Sequence, residues 1–164
     1  MAGEYPGAPT EDEARVKLAG LLDIGIRSFI DLTETPDPLE PYENLLNEVA
    51  SSKGVDVVYK RIPIRDMSIP TKGRMLEILG RIESELAAGR PVYFHCWGGI
   101  GRTGTVSGCW LVEKGHGCDE ALALIRQLRQ STPDGWKESP QTHEQVAFVR
   151  KWNAVRSRQG ADGS

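Results

Sequence analysis

Long apolar runs are missing from this sequence: none approaches the about 20 residues that span a bilayer, and the opening stretch through Ala14 lacks the hydrophobic core of a secretory signal. No membrane span and a cytoplasmic location are therefore expected. Cysteine is scarce too, with only Cys96, Cys109 and Cys118 at unrelated spacings. An odd count without repeated spacing argues against a disulfide framework or a structural zinc site, so reduced thiols are expected. Basic excess is also lacking, since 20 Lys and Arg face 23 Asp and Glu for a net charge of −3. That balance argues against nucleic-acid or anionic-membrane binding, which needs a basic surface, and confines any anion site to a local feature. His116 and His143 have no partners at metal-ligand spacing, so no metal or other cofactor is required.

What is present is average for a globular protein, with 39% hydrophobic and 26% charged residues in 164. One domain spanning 1–164 is expected, with residues 1–9 and 157–164 frayed. Ala14, Leu18, Leu21 and Leu22 recur at helical spacing behind an acidic first turn. Arg27–Thr33 reads as a short strand, and the β-branched and aromatic run 55–64 as another whose regular pairing ends near Ile62, before Pro63. Thr71 is placed to cap a helix with Met75, Ile78, Leu79, Ile82 and Leu86 on its inner stripe, ending at Gly89. Pro91–Phe94 is a compact buried-strand signal, followed by a glycine-rich segment that opens a helix ending near Gly115. Two further helices are expected, one with Ala121, Leu122, Leu124, Ile125 and Leu128 inside, the other opened by Ser139 and Pro140. The alternation implies an α/β domain with a central, mostly parallel sheet of about four to five strands flanked by helices.

The segment from His95 to Thr103 carries the chemistry: a cysteine, five intervening residues, an arginine and a hydroxyl, set between strand and helix. Three glycines, Gly98, Gly99 and Gly101, allow consecutive amides to turn around one point, which together with Trp97 and Ile100 makes an anion nest. The helix that follows adds its positive end, and Arg102 adds a planar fork for two oxygens. The same field favours the thiolate of Cys96. A thiol near ~8.5 is a few per cent ionised at neutral pH, so full ionisation offers roughly thirty-fold more nucleophile. An exposed thiolate, open to peroxide, is expected.

Other readings of these residues are weaker. Gly99-Ile100-Gly101-Arg102-Thr103-Gly104 fits the dinucleotide pattern, but the expected strand with a ribose-binding acid does not follow. A Walker loop would need a lysine where Arg102 stands. Cys109 and Cys118 have no neighbouring cation and read as structural.

The run His95-Cys96, five residues, Arg102-Thr103 resembles the signature of the protein tyrosine phosphatase superfamily. Within it, the short length and Ile64-Arg65-Asp66-Met67-Ser68-Ile69-Pro70 look like the small dual-specificity and bacterial enzymes. The resemblance implies a cysteinyl-phosphate intermediate on Cys96, with Asp66 as general acid and then base. It further implies that Arg102 and the amides of 97–102 hold phosphate, Thr103 hydrogen-bonds the sulfur, and His95 braces the loop. Gln141 resembles the glutamine that positions the hydrolytic water. The implied partner is a phosphorylated protein or peptide, with phosphotyrosine favoured because residues 97–100 are uncharged and lack the lysines that suit polyanionic inositol lipids. The alternatives are a rhodanese-like sulfurtransferase, against which Arg102-Thr103 and Asp66 speak, and a phosphoinositide or other small-phosphoester phosphatase of the same fold.

Overall fold

Three of the four strands are short runs that carry β-branched or aromatic residues, while the helices are longer amphipathic stretches, several opened by a threonine. The computed structural model describes residues 1–34 and 41–152. In chain order it contains β1 (Ala2–Gly3), α1 (Glu11–Asp23), β2 (Ser28–Asp31), α2 (Glu43–Ser52), β3 (Val58–Arg61), α3 (Lys72–Ala87), β4 (Val92–His95), α4 (Gly101–Glu113), α5 (Cys118–Arg129) and α6 (His143–Arg150). The four strands form one parallel sheet in the order β1-β4-β2-β3, so the chain is an α/β domain as the alternation predicts. Among the described residues, no helix is long and apolar enough to cross a membrane.

Both faces of the sheet are covered, which is why β2 and β4 read as continuous buried runs. Successive residues alternate between two cores. Phe29 and Tyr93 pack with Leu18, Leu22 and Leu46 of α1 and α2. Ile30 and Phe94 pack with Met75, Ile78 and Ile82 of α3 and Val106 and Val112 of α4. Burial of each such side chain contributes about 1.5–3 kcal/mol before entropy is counted. Register sets Gly3 beside His95, His95 beside Asp31, and Asp31 beside Arg61, in one row across the carboxyl edge. The loops that leave this row share the edge where open α/β sheets bind ligands.

Four expectations need correction. The N-terminal residues are not frayed: β1 pairs with β4, and Tyr5 is buried against the second core. Leu86 is 45% exposed, because Glu85 takes the inward position of that turn and is held by Arg81 and Arg90. Leu128, in the last turn of α5, is likewise exposed. Finally, α6 starts later than Ser139 and Pro140, at His143, with the hydroxyl of Thr142 accepting from the Gln145 amide at 3.1 Å. The expected fraying of 157–164 lies outside the described residues.

Candidate active site

Cys96 is the first residue after β4, and α4 starts at Gly101, so the five residues between strand and helix form a tight loop at the sheet's carboxyl edge. Gly99 has φ of +66°, and a Cβ there would lie 2.6 Å from the carbonyl carbon of Gly3. Only glycine satisfies both the left-handed backbone and that approach. Among the described residues, no carbonyl or side chain accepts from the amides of Trp97, Gly98, Gly99 and Ile100. The N-terminus of α4 has no side-chain cap and no acid in its first turn. Unclaimed amides and a bare helix dipole together give this loop the chemistry that can receive an anion.

Arg102, in the first turn of α4, is 2% exposed. Its Nη1 donates to the Ile64 carbonyl at 3.3 Å, and its Nη2 pairs with Asp66 Oδ1 at 3.2 Å. Nε has no partner among the described residues. An orphaned buried donor costs about 1–3 kcal/mol, a cost that a bound ligand supplying the acceptor would relieve. Asp66 itself is largely exposed, and its amide donates to Glu34 Oε2 at 3.3 Å. Next to it, Met67 has φ of +56°, a strained conformation for a long side chain, which marks this loop as one under constraint.

Cys96 is 3% exposed and belongs to the first core, contrary to the expectation of an exposed thiol. The reason is its position on the loop floor, directly beyond a strand that is buried on both faces, while Trp97 and Gly98 form the exposed rim. The hydroxyl of Thr103 donates to the Gly3 carbonyl at 3.4 Å, and that carbonyl, rather than the Cys96 sulfur, is its partner here. Gln141 is exposed, and its Oε1 lies 3.3 Å from where a Cβ on Gly101 would stand, so it borders the loop.

His95 is fully buried, with Nδ1 3.1 Å from the Cys96 carbonyl and Nε2 2.7 Å from the Tyr42 hydroxyl. A carbonyl only accepts, so Nδ1 carries the proton and Nε2 accepts from Tyr42. Beside it, Asp31 accepts from the Thr33 amide and hydroxyl at 2.8 and 2.6 Å and from the Tyr59 hydroxyl at 2.8 Å, and pairs with Arg61 at 3.2 Å. Burial pushes the Asp31 carboxyl up, but His95, Thr33 and Tyr59 outweigh it and leave it below its usual range. Burial lowers His95 against the pull of Asp31. The folded state therefore binds the His95 proton less readily than the unfolded chain. The stability it contributes is present above the ordinary value of about 6.5 and is lost as pH falls through the lower folded value. Melting temperature should fall as pH drops from about 6.5 toward 5. His95→Asn should flatten that part of the profile, and parallel profiles for the two proteins contradict this assignment.

Three contributors are absent from the sequence reading. Tyr42 and Asp31 support His95, and Gln145, fully buried, spans two loops. Its Oε1 accepts from the amides of Gln141 and Thr142, each at 3.1 Å, and its Nε2 donates to the Ser68 carbonyl at 3.1 Å. The Thr-x-x-Gln spacing at 142–145 is a capping-box signal that could have located Gln145, but nothing local announces the bond to Ser68. A cavity of about 290 Å³ between α5 and α6, lined by Leu122, Arg126, Glu138 and Arg150 among others, includes no residue of the 96–103 loop.

Phosphatases are among the solved structures similar to this chain. The structure of Tk-PTP in its active form matches at 26% identity and a TM-score of 0.65, over 93% of this chain and 97% of that one. PTPMT1 in complex with PI(5)P matches at 18% identity and 0.68, over 94% and 91%, a likeness of fold alone. A protein of Methanocaldococcus jannaschii, the uncharacterized MJECL20, is 45% identical over 91 residues, which is 56% of each chain. The aligned segment thus spans about half the length of that relative. A family model described as "Polymorphic toxin system, DSP-PTPase phosphatase" matches residues 6–116, which include Asp66 and the whole 96–103 loop, and the chain belongs to that phosphatase family.

Proposed function

We propose that this phosphatase hydrolyses phosphate monoesters through a cysteinyl-phosphate on Cys96, with phosphotyrosine in proteins as its favoured substrate. The observation that carries the reading is the buried Arg102 guanidinium, whose Nε lacks an acceptor among the described residues, standing beside a loop whose amides at 97–100 are equally unclaimed by them. A phosphate dianion satisfies both sets of donors.

In this reading phosphate enters through the loop mouth and displaces Asp66 from Arg102. The sulfur of Cys96 attacks phosphorus, the ester P–O bond breaks, and protonated Asp66 gives its proton to the departing oxygen. Water then attacks the cysteinyl-phosphate, losing a proton to Asp66, and the P–S bond breaks to release inorganic phosphate and the thiolate. Gln141 orients that water. Thr103 turns its hydroxyl from Gly3 toward the leaving sulfur, and His95 holds the Cys96 carbonyl and with it the start of the loop. Met67, Ile69 and Trp97 are each 39% exposed or more, and their apolar rim suits an aryl ester better than a polyanion. PI(5)P, seen with PTPMT1, is the obvious competitor, and a panel of phosphopeptides and phosphoinositides separates the two.

The reading is tested by hydrolysis of an aryl phosphate in chelator, inhibited by vanadate. Turnover of thiosulfate and cyanide without phosphatase activity would replace it with sulfur transfer. Asp66→Asn should slow esters with poor leaving groups by about 10²–10³ and spare activated aryl esters, because only the former need a proton in the transition state. Equal losses across leaving groups remove Asp66 from the acid role.

A further inference from the structure

The residues before Pro6 carry no motif, yet their main chain meets the cysteine loop repeatedly. The Tyr5 amide donates to the Trp97 carbonyl at 2.9 Å. The Gly3 carbonyl accepts from Thr103 at 3.4 Å, and the Gly3–Glu4 peptide approaches Gly99 so closely that a Cβ there would sit 2.8 Å from the Glu4 nitrogen. From behind, the Tyr93 hydroxyl donates to the Glu4 carbonyl at 2.7 Å. The Tyr5 ring, buried to 4% exposure, wedges edge-on against Tyr42 and His95 with centroids at 5.3 and 5.4 Å, and lies 5.7 Å from the ring of Trp97.

We propose that Gly3–Tyr5 is a positioning element for the anion loop, and that docking of this segment and binding of phosphate reinforce one another. The inference rests on the reading that the loop binds phosphate. A loop with glycines at 98, 99 and 101 samples many conformations unless something outside it selects one. The segment from Gly3 to Tyr5 is the part of the fold that touches the loop at Trp97, Gly99 and Thr103 together. Anion affinity is reduced by whatever fraction of loops is not held in the binding conformation, so loosening the segment weakens binding without removing a contact to the anion. Because β1 is a two-residue edge strand, its docking belongs to the low-stability end of the fold, where such coupling is measurable. Linkage makes the effect reciprocal: bound phosphate must tighten the segment by the same factor.

Two substitutions test this. Tyr93→Phe deletes the hydroxyl on Glu4 and keeps the ring beside His95, and Tyr5→Ala deletes the wedge. Both are read well below their melting temperatures, by the affinity for inorganic phosphate and by kcat and KM on an aryl phosphate. Amide exchange of residues 3–5 is followed in the native chain with and without saturating phosphate. Phosphate should bind more weakly in Tyr93→Phe, by up to about fivefold, the weight of one hydrogen bond, and more weakly again in Tyr5→Ala. KM should rise more than kcat falls, and exchange at residues 3–5 should slow when phosphate is bound. Native affinity in Tyr93→Phe, or exchange indifferent to phosphate, overturns the proposal while leaving the phosphatase reading intact. A native chain that fails to bind phosphate removes both.

Discussion

Cys96→Ser should lower turnover of an aryl phosphate by on the order of 10⁴-fold or more while leaving phosphate and vanadate binding within a few-fold of native. The hydroxyl that replaces the thiol has the shape but not the nucleophilicity, so the first step stalls. Binding should survive because the donors proposed for it, Arg102 and the amides of 97–102, are not touched by the substitution. The fold should tolerate the change, since Cys96 lies at the edge of the first core, on the loop floor, and serine is slightly smaller. A serine variant that still hydrolyses ester at more than about a hundredth of the native rate is incompatible with covalent catalysis at this position.

Arg102 substitutions should likewise cost function without costing stability. Arg102→Lys keeps the charge but loses the fork, and kcat/KM should fall by about 10³, the scale for losing oriented donors to a developing anion. Arg102→Met should lose at least as much activity, yet melt within a few degrees of native. The guanidinium is buried with Nε unpartnered among the described residues, and its ionic partner Asp66 is mostly exposed, so removing the cation leaves no stranded buried charge on that partner. The Ile64 carbonyl loses a donor, at about 1 kcal/mol, which roughly offsets the relief of the orphaned Nε. A fall in melting temperature above about 10 °C would mean that Arg102 is primarily structural, since each kcal/mol moves a domain of this size by roughly 2–4 °C.

The loop at 95–103 was legible because its chemistry is contiguous: glycines, arginine and cysteine constrain one another within nine positions and need no partner to be read. The Thr71 cap and the stripe of α3 were legible for a similar reason, since a cap and a period are local. Residue 86 shows where period stops deciding. Positions 85 and 86 both continue the stripe, and the inward one became Glu85 because Arg81 and Arg90 could neutralise it there. β1 has no propensity signal in Ala2–Gly3; it exists because β4 offers a free edge and the Tyr5 ring fits between Tyr42, His95 and Trp97. The support beneath His95 depends on strand register, which sets Asp31 beside it, and on Tyr42, 53 positions earlier in the chain. Gln145 reaches Ser68 across 77 positions, a contact that no local pattern encodes.

Rapid quenching during turnover of an aryl phosphate, followed by mass analysis of the peptide that contains residue 96, tests the central claim most directly. The account predicts one phosphoryl group on Cys96, accumulating in the steady state and absent from Cys96→Ser. A native enzyme that turns over substrate with that peptide unmodified throughout, or with the phosphoryl group on another residue, contradicts it.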